Sequence, residues 1–325
     1  MPAQHKAPQR ILCLYTGGTI GCAPTPLGLA PKAGILRPVI TDLLTQENNL
    51  GITLTLREYA EVLDSSSMQP ADWLRIAQDI DAAYHQFDGF IILHGTDTLA
   101  WTAAALHWQL SQIDKPVVIT GSQRPWLEMG SDAPANFQRA LDAVQSQRHA
   151  VMVAFDDLLL PAYAVKKIDA DADAAFAAPN WQGEWPRIKP GEYQFCPLDP
   201  NLNILSIKLY PGGETWLASS INTQVFAAIA IETYGSGNIP DHFLLKSALK
   251  NAVQANSLII NCSQCIRGEV RQGHYAAGSF LQEINALAAG RLTIEAATTW
   301  LYTALAKKTD HDSLRQAWQT AAHMV

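Results

Sequence analysis

Two short stretches carry residue types that hydrolytic chemistry needs. Tyr15-Thr16-Gly17-Gly18-Thr19-Ile20-Gly21 follows the apolar run Ile11-Leu12-Cys13-Leu14. An apolar run that stops at Thr-Gly-Gly reads as a buried strand ending in a tight turn. The glycines let the backbone pass close to a ligand, and the flanking threonines offer hydroxyls that can attack it or bond to it. Thr16 therefore stands where a nucleophile would stand. Taken alone, the stretch reads more readily as a glycine-rich turn whose threonines cap a helix, and only a partner motif lifts it above that.

The partner is Gly89-Phe90-Ile91-Ile92-Leu93-His94-Gly95-Thr96-Asp97-Thr98-Leu99. Its apolar run, Phe90 to Leu93, breaks at Gly95. Thr96-Asp97-Thr98 then precedes Leu99, Ala103, Leu106 and Leu110 at helical spacing, a second strand-to-helix elbow. In open α/β sheets ligands bind beyond the carboxyl ends of the strands, so two such elbows can face one crevice. The helix N-terminus adds unpaired N–H groups and a positive dipole end for a carboxylate or an oxyanion.

The elements that must position these residues follow from the same patterns. Ile52-Thr53-Leu54-Thr55-Leu56 alternates like a strand and leads to Asp64-Ser65-Ser66-Ser67, one anion with hydroxyls at another crossing. Such a run is ordinarily a solvated cap. A helix starts near Pro70, buries Trp73, Ile76, Ala77, Ile80, Ala83 and Tyr84, and stops before Gly89. Lys115-Pro116-Val117-Val118-Ile119-Thr120-Gly121-Ser122 repeats strand, threonine and glycine as a third crossing. Ser131-Asp132 and Asn136 open the next helix, and Ala150 to Phe155 forms another buried strand. This alternation predicts an α/β protein with a large N-terminal doubly wound, mainly parallel sheet. Residues 181–200, rich in Pro, Trp and charge, read as a linker between an N-terminal domain (1–180) and a smaller C-terminal α/β domain (201–325). In that second domain Asn203 to Leu209, Ala227 to Ile231 and Leu258 to Ile260 read as strands, with a helix from about Thr293 to Lys307.

Composition narrows the function classes. The chain has 325 residues, 48% of them hydrophobic and 16% charged, as in a globular protein with ample core. Its net charge of −7, without a Lys/Arg cluster, argues against nucleic acid or an anionic membrane as partner. The polar stretch before the first strand lacks a secretory signal, and no apolar segment approaches the ~20 residues of a membrane span, so a cytoplasmic location is expected. The five cysteines fit reduced thiols, and Cys262-Ser263-Gln264-Cys265 lacks the second ligand pair of a zinc site. Asp169, Asp171 and Asp173 resemble a calcium loop, but Ala174 and Asn180 stand where its glycine and glutamate belong. No metal is expected.

Together, Thr16-Gly17-Gly18-Thr19-Ile20-Gly21 and His94-Gly95-Thr96-Asp97-Thr98 resemble the two signature motifs of the bacterial L-asparaginases. Asp64-Ser65-Ser66-Ser67-Met68, Thr120-Gly121-Ser122-Gln123, Ala175 to Asn180, Tyr234 to Asn238 and Gln272 to Gly278 follow in the order of the cytoplasmic type I branch. The likeness spans nearly the whole chain. It implies hydrolysis of L-asparagine to L-aspartate and ammonia through a threonine nucleophile and an acyl-enzyme, without metal or organic cofactor. Thr16, by its place at the first elbow, is the candidate nucleophile, and Lys167, which the resemblance places at the family's interval before Phe176, is the candidate acceptor of its proton through Thr96. Asp97 pairs with that lysine and with the substrate's α-ammonium. Asp64, Ser65 and Ser66, with Thr96 and Asp97, hold the substrate, while elbow N–H groups and Thr96 form the oxyanion hole. A homodimer or homotetramer is expected on the same ground.

Two departures from the family pattern stand out. An ungapped alignment from Gly21 to Gly34 places Leu29 where the family has a tyrosine that helps activate the first threonine, and leucine has no hydroxyl. Glu232 and Lys166 stand where some type I relatives have the arginine and threonine of an allosteric asparagine site, so no such site is expected. Two other readings remain beside the hydrolase. One is a non-catalytic amino-acid sensor on the same fold, favoured by Leu29. The other is an amidotransferase-type amidase subunit, disfavoured by the acidic balance and by only ten residues before the first strand.

Overall fold

A computed structural model describes residues 8–26, 28–46, 51–146, 148–185, 188, 190–273 and 276–324. His274 and Tyr275, within one of the motif stretches, lie outside the described residues. The chain divides into two compact units. The first holds the described residues up to Ala178 together with Trp185–Cys196, and the second holds Pro179–Glu184 with the described residues from Pro197 onward.

In the first unit β1 (Gln9–Gly17) leads into a small hairpin of β2 (Cys22–Thr25) and β3 (Gly28–Pro31), then α1 (Leu36–Gln46) and the long strand β4 (Ile52–Leu63). There follow α2 (Pro70–Ala83), β5 (Gly89–Leu93), α3 (Leu99–Gln109), β6 (Leu110–Ser111), β7 (Val117–Thr120), α4 (Ala133–Gln145), β8 (Val151–Phe155) and β9 (Leu158–Pro161). Two-residue strands β10 (Lys166–Lys167) and β11 (Phe176–Ala177) pair antiparallel, and β12 (Gln194–Phe195) pairs with β6. The main sheet has the order β4-β1-β5-β7-β8-β9, parallel throughout except for the last pair.

Strand alternation sorts β1 between two cores. Leu12 and Leu14 pack on one face with Ile76, Ala77 and Ile80 of α2 and Leu99, Ala103 and Leu106 of α3. Ile11, Cys13 and Tyr15 pack on the other with Leu36 and Ile40 of α1 and Phe137, Ala140 and Leu141 of α4. Helices on both faces make the sheet doubly wound, and its parallel strands are apolar on both sides because both sides are covered. β4 lies at the sheet edge, which is why it alone alternates cleanly between half-buried and exposed residues. Helix α2 buries Trp73, Ile76, Ala77, Ile80 and Ala83 as the spacing predicts, but it ends at Ala83. Tyr84, read from the sequence as part of that face, caps the helix half-buried, and its ring stacks on Tyr193 at 4.2 Å. The stretch read as a linker thus has residues attached to the first unit, with β12 paired to β6.

The second unit is built around β13 (Ile204–Lys208), β14 (Ala228–Thr233), β15 (Leu258–Ser263) and β16 (Leu287–Ala288), all parallel in that order. Helices α5 (Glu214–Thr223), α6 (Phe243–Gln254) and α7 (Ala276–Glu283) share a core with Ile229, Ile231 and Ile259. Helix α8 (Ile294–Ala306) lies against β13, β14 and β15, and α9 (His311–Ala322) meets it through an edge-on Trp300–Trp318 pair. The architecture is the expected one, a large mainly parallel α/β unit and a smaller parallel one. Among the described residues no helix is long and apolar enough to cross a membrane.

Candidate active site

β1, β5 and β7 are neighbours in the main sheet, so their carboxyl ends bring three strand-to-helix elbows side by side. The elbows touch through glycine. Gly18 has φ of 90°, and a Cβ there would lie 2.2 Å from the Cα of Gly95. At Gly121 a Cβ would lie 2.2 Å from the carbonyl oxygen of His94. No real Cβ can occupy either place, so glycine at these positions is what lets the elbows close on one another.

Thr16 lies at the end of β1, where pairing with β4 breaks register between Tyr15, opposite Glu58, and Gly17, opposite Leu63. A register break of this kind re-aims the side chain it carries. Thr16 is fully buried, and its hydroxyl donates to the carbonyl oxygen of Leu93 at 3.0 Å. Tyr15 points to the opposite core, where burial raises the pKa of its hydroxyl.

On the second elbow His94 is buried and neutral. Burial pushes its pKa down to about 4, partly opposed by its bond to the Gly95 carbonyl and by the charge of Asp72. Its Nδ1 lies 2.7 Å from that carbonyl oxygen, which can only accept, so Nδ1 carries the proton and Nε2 accepts from Thr102 at 2.8 Å. His94 thereby fixes the peptide plane that precedes Thr96.

Thr96, Asp97 and Lys167 are brought into direct contact. Lys167 reaches over from the β10–β11 hairpin and donates to Thr96 Oγ1 at 2.9 Å and to Asp97 Oδ1 at 3.0 Å. Thr96 is buried, Lys167 is 20% exposed and Asp97 is 61% exposed. The ammonium is thus held on the inner side of the cluster and the carboxylate faces outward. Lys166 and Lys167 are adjacent strand residues, so their side chains leave the hairpin on opposite faces.

The Asp64 to Ser66 crossing adjoins the same elbow. Asp64 caps the short turn that follows β4, accepting from the Ser66 N–H at 3.0 Å. Ser65 is buried; its carbonyl accepts from the Thr98 hydroxyl at 2.7 Å, and its Oγ would lie 2.4 Å from a Cβ on Gly95. Asp64 and Ser66 remain exposed. Leu29, in β3, pairs with Pro24 and is 57% exposed.

One residue of this neighbourhood had no role assigned from the sequence. Gln123, on the third elbow, accepts from Thr96 Oγ1 at 3.2 Å and donates to the carbonyls of Ala170 and Ala172 at 3.0 and 3.1 Å. The signal was present in Thr120-Gly121-Ser122-Gln123, whose position at a third neighbouring strand end places its last residue beside Thr96.

Comparison with known proteins bears on the whole of this arrangement. The family model described as Asparaginase, N-terminal, matches residues 10–189, and that of the Glutaminase/Asparaginase C-terminal domain matches residues 203–318. L-asparaginase 1 of Escherichia coli strain K12 is 33% identical over 94% of this chain and 95% of its own. The crystal structure of L-asparaginase I from Vibrio cholerae superposes with a TM-score of 0.85 at 32% identity, covering 96% of this chain and 97% of that one. The thermostable L-asparaginase from Thermococcus kodakarensis gives the same TM-score at 31% identity, over 95% and 96% of the two chains. Two family models in order, matched over most of the chain and supported by relatives aligned nearly end to end, lead to one conclusion: the chain belongs to the asparaginase family.

Proposed function

We propose that this chain hydrolyses L-asparagine to L-aspartate and ammonia by acyl transfer to Thr16. The observation that carries the reading is the cluster in which Lys167 meets both Thr96 and Asp97, one strand away from Thr16. In the first half-reaction Thr16 Oγ1 bonds to the side-chain amide carbon of asparagine. Its proton passes through Thr96 to Lys167 in its neutral form, and then to the leaving nitrogen as the C–N bond breaks. Water attacks the resulting ester in the second half-reaction, releasing aspartate and returning a proton to Thr16. N–H groups of the elbows, with Thr96, stabilise the oxyanion of each tetrahedral intermediate.

The resting hydrogen bonds state what must change for this to begin. A hydroxyl has one proton, and that of Thr16 is donated to the Leu93 carbonyl, which is no base. The hydroxyl must turn from Leu93 before its proton can be taken, and Thr96, whose own proton is given to Gln123 at rest, must turn that proton to the neutral Lys167 as it receives the one from Thr16. Exposed Asp97 offers its second oxygen to the substrate's α-ammonium, and Asp64, Ser65 and Ser66 hold the remaining α-groups. None of these steps calls on a metal or an organic cofactor. We further assign the catalytic groups to an N-terminal domain (1–180), joined through 181–200 to a C-terminal domain (201–325), in a cytoplasmic homodimer or homotetramer.

The test is product balance with a trap. Purified protein should release ammonia and aspartate from L-asparagine in equal amounts, and added hydroxylamine should divert the acyl group to aspartyl hydroxamate. Binding of asparagine without release of either product would replace this reading with that of a sensor.

A further inference from the structure

We propose that Gln123 is a positioning residue for this reaction, holding the Thr96 hydroxyl and the hairpin that carries Lys167 in one frame. The carbonyl oxygens of Ala170 and Ala172 only accept, and both lie within hydrogen-bond distance of one end of the Gln123 amide. That end is therefore the NH₂, since the flipped amide would set an oxygen against two oxygens. The amide oxygen is left to face Thr96, and it accepts the one proton that Thr96 has. Thr96 in turn presents a lone pair to Lys167, which as an ammonium only donates. The direction of every bond from Lys167 through Thr96 to Gln123 follows from the two backbone carbonyls.

Those carbonyls belong to the loop between β10 and β11, so one side chain ties both ends of the Lys167–Thr96 contact. Gln123 is itself held at its base. Asp132 accepts from the N–H groups of Gln123 and Arg124 at 2.9 and 3.0 Å, and Asn136 links Asp132 to the Gly121 carbonyl. Asp132 makes no side-chain cap to the helix it precedes; its carboxylate is engaged on this elbow instead. Beside Gln123 the Arg124 guanidinium reaches Asp173 at 2.9 Å, a second tie to the same loop. A frame of this kind sets the approach of base to relay, and a displacement of about 1 Å in such a contact costs on the order of a hundredfold in rate.

The kinetic arm of the test rests on the asparaginase reading and the structural arm does not. Gln123→Met keeps the length of the side chain and removes both halves of the amide. Gln123→Glu keeps an acceptor for Thr96 but sets an oxygen against the Ala170 and Ala172 carbonyls. Both variants and the wild type are assayed with L-asparagine and crystallised. The expected result is a kcat about a hundredfold down in each variant, with KM within about threefold of wild type and the melting temperature retained. Variants that keep kcat within about twofold overturn the inference. Should the wild type itself release no ammonia, the function reading fails and the crystal structures decide the inference alone. Lys167 Nζ displaced from Thr96 in Gln123→Met upholds it, and Lys167 still at hydrogen-bond distance with the loop in place overturns it.

Discussion

At the scale of the residue, the groups that handle the proton are distinct from the groups that hold them in place. Lys167 is the only cation in contact with Thr96 among the bonds described. Lys167→Met is expected to lower kcat by about 10²- to 10⁴-fold, the range of general acid–base catalysis, while isothermal titration still detects asparagine. Leu29 has no hydroxyl, is largely exposed and takes no part in the proposed steps. Leu29→Ala should therefore change kcat/KM by less than about threefold, and a larger loss in a steady-state assay would give the β2–β3 hairpin a role it lacks here. His94 gives a stability prediction. Its folded pKa of about 4 lies below the ordinary 6.5, so the unfolded chain takes up the proton first as pH falls. His94 thus contributes stability that is full above the ordinary value and is lost as pH falls towards 4. Denaturant titrations at pH 7 and pH 5 should show the wild type losing about 2 kcal/mol more than His94→Gln over that interval.

At the scale of the element, the site depends on elbows that pack backbone against backbone. Gly121→Ala would place a Cβ 2.2 Å from the His94 carbonyl, an atom that cannot swing away as a side chain tip can. We expect a loss of about 1–3 kcal/mol in denaturant unfolding, and a fall in kcat because the Thr96 elbow must shift. This scale also shows what the sequence made legible. Apolar runs ending in threonine and glycine marked three strand ends, and in a parallel sheet such ends lie on one edge, so Thr16 and Thr96 could be placed as neighbours. Helix α2 could be placed from Pro70 and its apolar spacing, although Tyr84 fell outside it because a favourable spacing does not say where the backbone hydrogen bonds stop. Lys167 had no local signal. Its hairpin has two residues per strand, and its approach to Thr96, 71 positions earlier, is a tertiary contact that only the family resemblance indicated. The role of Gln123 is not legible in its motif, since the partners that define it are backbone carbonyls some fifty residues away.

At the scale of the whole molecule, two α/β units follow one another in the order of the two family models, and every proposed catalytic group lies in the first. Composition suggested a boundary near residue 181. The attachment of residues 185–196 to the first unit was not, because a two-residue strand such as β12 leaves no periodicity. Glu232 and Lys166, which the family resemblance sets at the places of an allosteric arginine and threonine, give a prediction for the rate law. Initial rates against L-asparagine concentration should fit a hyperbola, and a sigmoidal curve would contradict it. The measurement that bears most directly on the central claim is the rate of ammonia release from saturating L-asparagine by Thr16→Ala beside the wild type. The wild type should release ammonia steadily, at a rate about a thousandfold or more above that of the folded variant. A Thr16→Ala protein that released ammonia at the wild-type rate would contradict that claim, and the nucleophile would have to be sought elsewhere among these elbows.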